Sequence, residues 1–446
     1  MSLVLFSSNL GFKLKTLNLY PNKINLNLAY KWLIIFVPFT IIIGNFALNV
    51  NLILVDIIFI YLLLKGKIQF NKNFIYLLFF IFIVFVINNI LSSDLYLSGK
   101  ASLGILKYLI FFLAFLLFLG NSNYRKDYFK ILFYLILFVT FDVLIQYGVG
   151  FDLFGNEYST AHGKRLSGPF GDEYVVGAYL SKLFFLGIPF LITYTKNYNI
   201  YLLYLLLMMS TIFLTQERSA FFISLLATTF FIIFFKAQIK HKIFLILSLI
   251  AVVTVFMKFD ESSFKKYFDQ TVLQLGFSTE LHYRKKNNDH LAHNLNTFWD
   301  SRYGAHFLTA YEIFKDNKIF GSGVKTFRKN CTLTKYENID SKYVDKRCNT
   351  HPHNLYYEIL SEGGLLMFLP FCLIIIYLVF NNIKSLLNKY DIKILINIGL
   401  LIIFFFPIQT TGSFFSTFNG VFYWIALAII INNMNLKIFS KSFQKI

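Results

Sequence analysis

The chain has 446 residues, of which 57% are hydrophobic, 20% aromatic and 15% charged, with mean hydropathy +0.60. A soluble globular domain carries about a quarter charged residues, so the composition excludes that class and predicts an all-α polytopic membrane protein. The formal net charge of +19 does not point to nucleic acid: the Lys residues cluster in short gaps between apolar runs, as cytoplasmic loops facing anionic membrane lipids do.

Residues 1–28 read as a cytoplasmic leader. They lack the small-residue cleavage site and following soluble sequence of a cleavable signal peptide. Apolar runs of about 17–25 residues then predict about twelve transmembrane helices, near 29–48, 49–65, 73–92, 101–120, 128–148, 173–194, 199–215, 218–236, 242–258, 355–381, 393–410 and 416–434. Spans 1–9 thus occupy 29–258, with a short outward loop at 149–172. A large loop at 259–354 separates spans 9 and 10, spans 10–12 fill 355–434, and 435–446 is a cytoplasmic tail.

Charge sets the orientation. With the N-terminus inside, the even-numbered connections and both tails should be basic. They carry Lys13, Lys15 and Lys23; Lys65, Lys67 and Lys72; Arg125, Lys126 and Lys130; Lys196; Lys236, Lys240 and Lys242; Lys384, Lys389 and Lys393; and Lys437, Lys441 and Lys445. Both long loops then face outward. The larger contains an amphipathic stretch, Tyr303–Phe314, which predicts a small helical cap rather than a coil. It also holds Cys331 and Cys348. An oxidising compartment favours a disulfide between them, closing a loop of about 17 residues and contributing about 3 kcal/mol on the chain-entropy model; two free thiols are the alternative. Cys372, in an apolar run, reads as a small core residue.

The sequence contains no Gly-rich phosphate loop, no Cys-x-x-Cys pair and no His-Glu-x-x-His pattern. Polar residues instead gather in four outward clusters. The first is the 150–177 loop with its helix entry, where Arg165 is followed by a Gly-Pro turn and then Asp172 and Glu173. The second is Gln216-Glu217-Arg218-Ser219 between two spans. An Arg there is costly unless paired or wetted; Glu217 is one candidate partner, and snorkelling is the plain alternative. The third is Ser301-Arg302 with Gly321-Ser322-Gly323 downstream. The fourth is His351-Pro352-His353-Asn354, at the mouth of span 10, followed by Glu358, Glu362, Gly363 and Gly364. His353 is placed to exchange a proton near neutral pH. Asp142, close to Gln146 inside an apolar run, reads equally as a functional acid and as a structural hydrogen-bonding group. Asp56 has the same two readings.

The pair His353-Asn354 followed by Gly364, in the text HPHNLYYEILSEGG, resembles the signature of the O-antigen ligase and O-antigen polymerase family. So do RLSGPFGDEYVVGAYL, QERSAFF and SRYGAHFLTAYEIFKDNKIFGSG, in that order along roughly 140–370. Met367 stands where the ligase pattern has a further glycine, and both activities stay open. The resemblance implies a glycosyltransferase in the bacterial inner membrane with its active site facing the periplasm. Its donor would be a glycan on a polyprenyl diphosphate, and its acceptor a sugar hydroxyl on lipid A-core (ligase) or on another lipid-linked repeat (polymerase). His353 would be the general base, and Arg218, Arg302 and Arg165 the diphosphate ligands. Asn354 or Glu358 would orient the His353 ring, with His351 and Gly364 in support. Neither metal nor other cofactor is implied. A transporter or flippase shares the span count, but transporters place their polar site near the bilayer midplane, whereas these residues lie at the outer face.

Overall fold

A helix falls on every one of the twelve apolar runs in the computed structural model, which describes residues 26–159, 164–260, 265–274, 298–436 and 438–441. The leader to residue 25, the centre of the large loop at 275–297 and the end of the tail lie outside the described residues. The first five helices are α1 (Leu26–Ile43), α2 (Asn45–Leu64), α3 (Lys72–Ile90), α4 (Leu95–Gly120) and α5 (Ser122–Val149). The sixth run is split into α6 (Val176–Leu183) and α7 (Ile188–Tyr194) by a 3-10 turn, with Pro189 in the first turn of α7. There follow α8 (Tyr198–Leu214), α9 (Arg218–Phe234) and α10 (Ile239–Phe259). The large loop contributes a π-helical turn at Lys265–Asp269, α11 (Gln270–Gln274), α12 (Arg302–Asp316) and α13 (Phe327–Asn330). The chain closes with α14 (Leu355–Asn388), α15 (Ile392–Phe405) and α16 (Thr417–Asn433).

Eight of these segments are long and apolar enough to cross a membrane, and α8, α9, α15 and α16 are shorter apolar helices. The helical state follows from the solvent: in hydrocarbon every backbone N–H and C=O must be satisfied within its own segment. The starts are written in the sequence as polar caps. Asn71, Asp94, Asn121, Asn197, Ser301, Asn354, Asp391 and Ser416 each accept a backbone N–H of the first helical turn, as N-caps do.

The connections sort into two ends. At one end Gln69–Phe70 pairs antiparallel with Phe439–Lys441, bringing the α2–α3 connection against the C-terminal segment. At the other end Ser93 N–H donates to the Ser322 carbonyl at 2.9 Å, and Thr411 N–H to the His353 carbonyl at 2.8 Å. The Ser219 hydroxyl donates to the Thr410 carbonyl at 2.8 Å. The connections 91–94, 215–217, 406–416 and the large loop therefore share one end, as an even alternation of helices requires. The core runs the length of the bundle, with α9 against α15 and α4 against α16. A satellite core of Ala310, Ile313, Phe327, Cys331 and Tyr336 sits under α12.

The expected helical cap is present as α12, which extends the predicted 303–314 stretch by a residue or two at each end. Cys331 and Cys348 meet as a disulfide with Cα atoms 5.3 Å apart. The two intramembrane acids differ in role. Asp142 accepts the Leu153 N–H at 2.8 Å, and Gln146 accepts from Ser167 and Gly168 N–H at 3.0 and 2.9 Å. Both tie down the 150–168 loop. Asp56 is buried near Lys107, which donates to Asn49.

Candidate functional site

The head of α14 is built by its cap. Asn354 is buried, with 2% of its surface exposed. Its side-chain oxygen accepts from Tyr356 and Tyr357 N–H at 2.9 and 3.2 Å. Its amide donates to the Pro407 and Gln409 carbonyls at 2.8 and 3.1 Å. Four residues on, Glu358 accepts from the Ser413 hydroxyl at 2.5 Å and Phe414 N–H at 2.8 Å. Neither side chain bonds the His353 ring, contrary to expectation. Both hold the 406–416 connection, which in turn holds the histidine through Thr411. The apolar reading of the α15–α16 region hid this element; the polar run Gln409–Ser413 was the signal for it.

His353 lies in the left-handed backbone region, φ 60°, which few residues other than glycine adopt and which histidine, like Asn and Asp, enters more readily than most. Its ring is walled by other rings. The His351 centroid is 4.2 Å away, His306 stacks at 5.2 Å with 28° between planes, and Tyr303 meets it edge-on at 5.7 Å. Carbonyl partners fix two tautomers, because a carbonyl only accepts. His351 Nε2 is 3.1 Å from the Thr411 carbonyl and its Nδ1 2.9 Å from the Thr350 hydroxyl. His306 Nε2 is 2.9 Å from the Lys346 carbonyl. His306 was missed in the sequence; its position one helical turn after Arg302, on the same face of α12, was the available sign.

The stack disfavours protonation. Burial, then His351, His306 and Arg302, push His353 down to about 3, with the Thr411 carbonyl pulling the other way. Burial pushes His306 down to about 4, aided by Arg302 and His351 against the Lys346 carbonyl. His351 is lowered too, chiefly by burial. All three rings are thus neutral around pH 7.

A second cluster forms where α8 turns into α9. Gln216 has φ 58°, and the turn puts Arg218 at the first residue of α9. Glu217 does not serve Arg218. It accepts from Gly177 and Ala178 N–H at 2.7 and 3.1 Å, completing the start of α6. Burial raises Glu217 to about 7, with Arg165, the two N–H groups and Lys182 opposing. Arg165 donates to the Tyr174 carbonyl at 2.8 Å while its Nε is buried without a hydrogen bond. Arg218 Nη1 lies 3.4 Å from the Thr271 hydroxyl. Burial lowers Lys266, and the charges of Arg165 and Arg218 lower it further, so three cations share one neighbourhood. Ser219, next to Arg218, is bonded to Thr410, and Thr411 to His353. The arginine cluster and the histidine stack are two flanks of one connection. Arg302 belongs to the histidine flank and is exposed, while Arg165 and Arg218 form the other.

Gly364 breaks α14 with φ 61°. The break lets residues 318–323 lie against it: Leu365 and Leu366 N–H reach the Lys318 and Ile319 carbonyls at 2.8 and 3.0 Å, and Gly323 N–H reaches Glu362 at 2.9 Å. A Cβ on Gly364 would sit 2.4 Å from Gly321 N. Buried Glu362 accepts from Lys325 and Phe327 N–H at 2.6 and 3.0 Å. Met367, in place of a glycine, packs on Gly363. Among the described residues no group of three or more His, Cys, Asp or Glu side chains could hold a metal ion; the histidines present faces to one another.

Residues 203–372, which include α9, the large loop and the head of α14, match the family model described as O-antigen ligase. No curated protein matches the chain.

Proposed function

We propose, from the match of residues 203–372 to the O-antigen ligase family model, that the chain moves a glycan from a polyprenyl diphosphate to a sugar hydroxyl of lipid A-core at the periplasmic face of the inner membrane. The observation that carries this is the pairing of a cationic flank with a neutral imidazole stack across the 406–416 connection.

The reaction needs two things. The acceptor hydroxyl must lose a proton as its oxygen bonds the anomeric carbon, and the bond from that carbon to the phosphate oxygen must break with its electron pair leaving on the diphosphate. His353 takes the proton. In the neutral imidazole one ring nitrogen carries hydrogen and the other is left basic. Arg218 and Arg165 on one flank and Arg302 on the other receive the leaving charge, since guanidinium groups offer forked donors that stay ionised. Arginines, rather than a metal ion, do this work in our reading. Burial is the first cause of the depressed basicity of His353 and Arg302 adds to it; a donor diphosphate paired with Arg302 would offset that charge and raise the ring toward the working pH. Direct attack of this kind inverts the anomeric centre.

Polymerisation of lipid-linked repeats is the second reading, favoured by Met367 at the position where ligases carry glycine. His353→Ala in cells separates the two. Loss of a ligase leaves full-length glycan on its lipid carrier. Loss of a polymerase leaves single repeats attached to core. Unchanged surface glycan removes His353 from the mechanism.

A further inference from the structure

His306 is 1% exposed. Its Nε2–H donates to the Lys346 carbonyl, which leaves the lone pair on Nδ1, and that atom is buried without a hydrogen-bond partner. A buried polar atom left unpaired is a cost to the fold. A glutamine could donate to Lys346 as well, so the hydrogen bond alone does not explain a ring here. What the imidazole adds is a flat face, and that face lies on His353 at 5.2 Å and 28°. His353 needs such a wall. It sits on a loop, at a positive φ, and a base must stay within about 0.5 Å of its productive geometry.

We propose that His306 is a positioning residue whose stacked ring fixes the plane of His353 for the acceptor hydroxyl. This rests on the reading of His353 as the base. His306 is itself held rigid, because α12 packs along α14 and the disulfide Cys331–Cys348 ties α13 to the segment just before His351. Arg347 adds a bond from its Nε to the Cys331 carbonyl at 3.1 Å.

The test uses the full-length protein in liposomes with a polyprenyl diphosphate glycan donor and a core glycan acceptor. His306→Ala should lower kcat by about tenfold or more, the scale expected for a misaligned base, with KM for both substrates within about twofold. His306→Phe, which keeps a stacked ring and loses the Lys346 bond, should restore most of kcat. His306→Gln, which keeps a donor and loses the ring, should stay as low as Ala. Rescue by Gln and not by Phe would overturn the proposal and make His306 an anchor for Lys346. A second readout does not need turnover: carbethoxylation of His353 by diethyl pyrocarbonate, followed by mass spectrometry. It should be faster in the Ala and Gln variants than in wild type and Phe. Equal rates in all four would overturn the stack. If wild type transfers no glycan, or His353→Asn keeps full activity, the functional reading fails, and the labelling still decides whether His306 holds His353.

Discussion

At the scale of single residues the site is governed by protonation. His353 and His306 are both held below the ordinary histidine value, to about 3 and about 4, mainly by burial. A group whose folded value is depressed binds fewer protons folded than unfolded, so its contribution to stability is present above the unfolded value and lost as pH falls toward the folded one. Acidification from about pH 6.5 toward 4 should therefore lower the thermal midpoint of the detergent-solubilised protein. His306→Phe removes one such group and should make that fall smaller; an unchanged fall would show that His306 is not held neutral. Activity carries a related sign. kcat/KM reports the free enzyme and kcat the loaded one. If bound diphosphate raises His353 as proposed, the acid limb of kcat should lie at higher pH than that of kcat/KM, and coincident limbs would contradict that role for the donor's charge. Arg218→Ala should lower transfer with membrane abundance unchanged; collapse of abundance would make Arg218 structural. His353 and the three arginines stand out in the sequence as candidates because such side chains are conspicuous at the ends of apolar runs. The sequence hid His306, an ordinary helix residue until α12 turns it onto the stack, and it suggested Glu217 as a partner for Arg218 although its carboxylate closes the start of α6.

At the scale of elements the site depends on two joints. The break in α14 at Gly364 needs a positive φ and room, and a Cβ would meet Gly321 N at 2.4 Å and the Ile319 carbonyl at 2.5 Å. Left-handed strain alone costs about 1–3 kcal/mol. Gly364→Ala should therefore lower the thermal midpoint and reduce abundance, whereas Gly104→Ala in α4, where a Cβ meets nothing within 4 Å, should leave both unchanged or improved. Equal behaviour of the two would mean that the 318–323 segment does not dock on the break. The glycines of both segments were visible in the sequence, but their docking was not, since it joins residues some forty positions apart through backbone hydrogen bonds. The second joint is the 406–416 connection, held by Asn354 and Glu358. Those two side chains were legible as neighbours of His353; that they hold a distant loop was not.

At the scale of the whole molecule, apolar runs are the part of the fold that a chain writes openly, because a span must satisfy its backbone alone. That is why each run became a helix, the sixth divided at Phe184–Gly187. The arrangement of the two ends comes from tertiary contacts and from loop charge. If the basic end faces the cytoplasm, a cysteine introduced at Lys67 should resist a membrane-impermeant thiol reagent added from the periplasmic side, and one at Asn349 should react. The opposite pattern would invert the topology and take the site out of reach of a periplasmic acceptor. Within that topology the imidazole at 353 is proposed to act as base on an acceptor for a glycan held by a lipid diphosphate. The most direct measurement of that role is turnover of His353→Asn in liposomes, since Asn tolerates the left-handed backbone and cannot act as the base. With His353 as the base, this replacement should cost about 100-fold or more in kcat with donor binding retained. Turnover within about twofold of wild type would contradict that role.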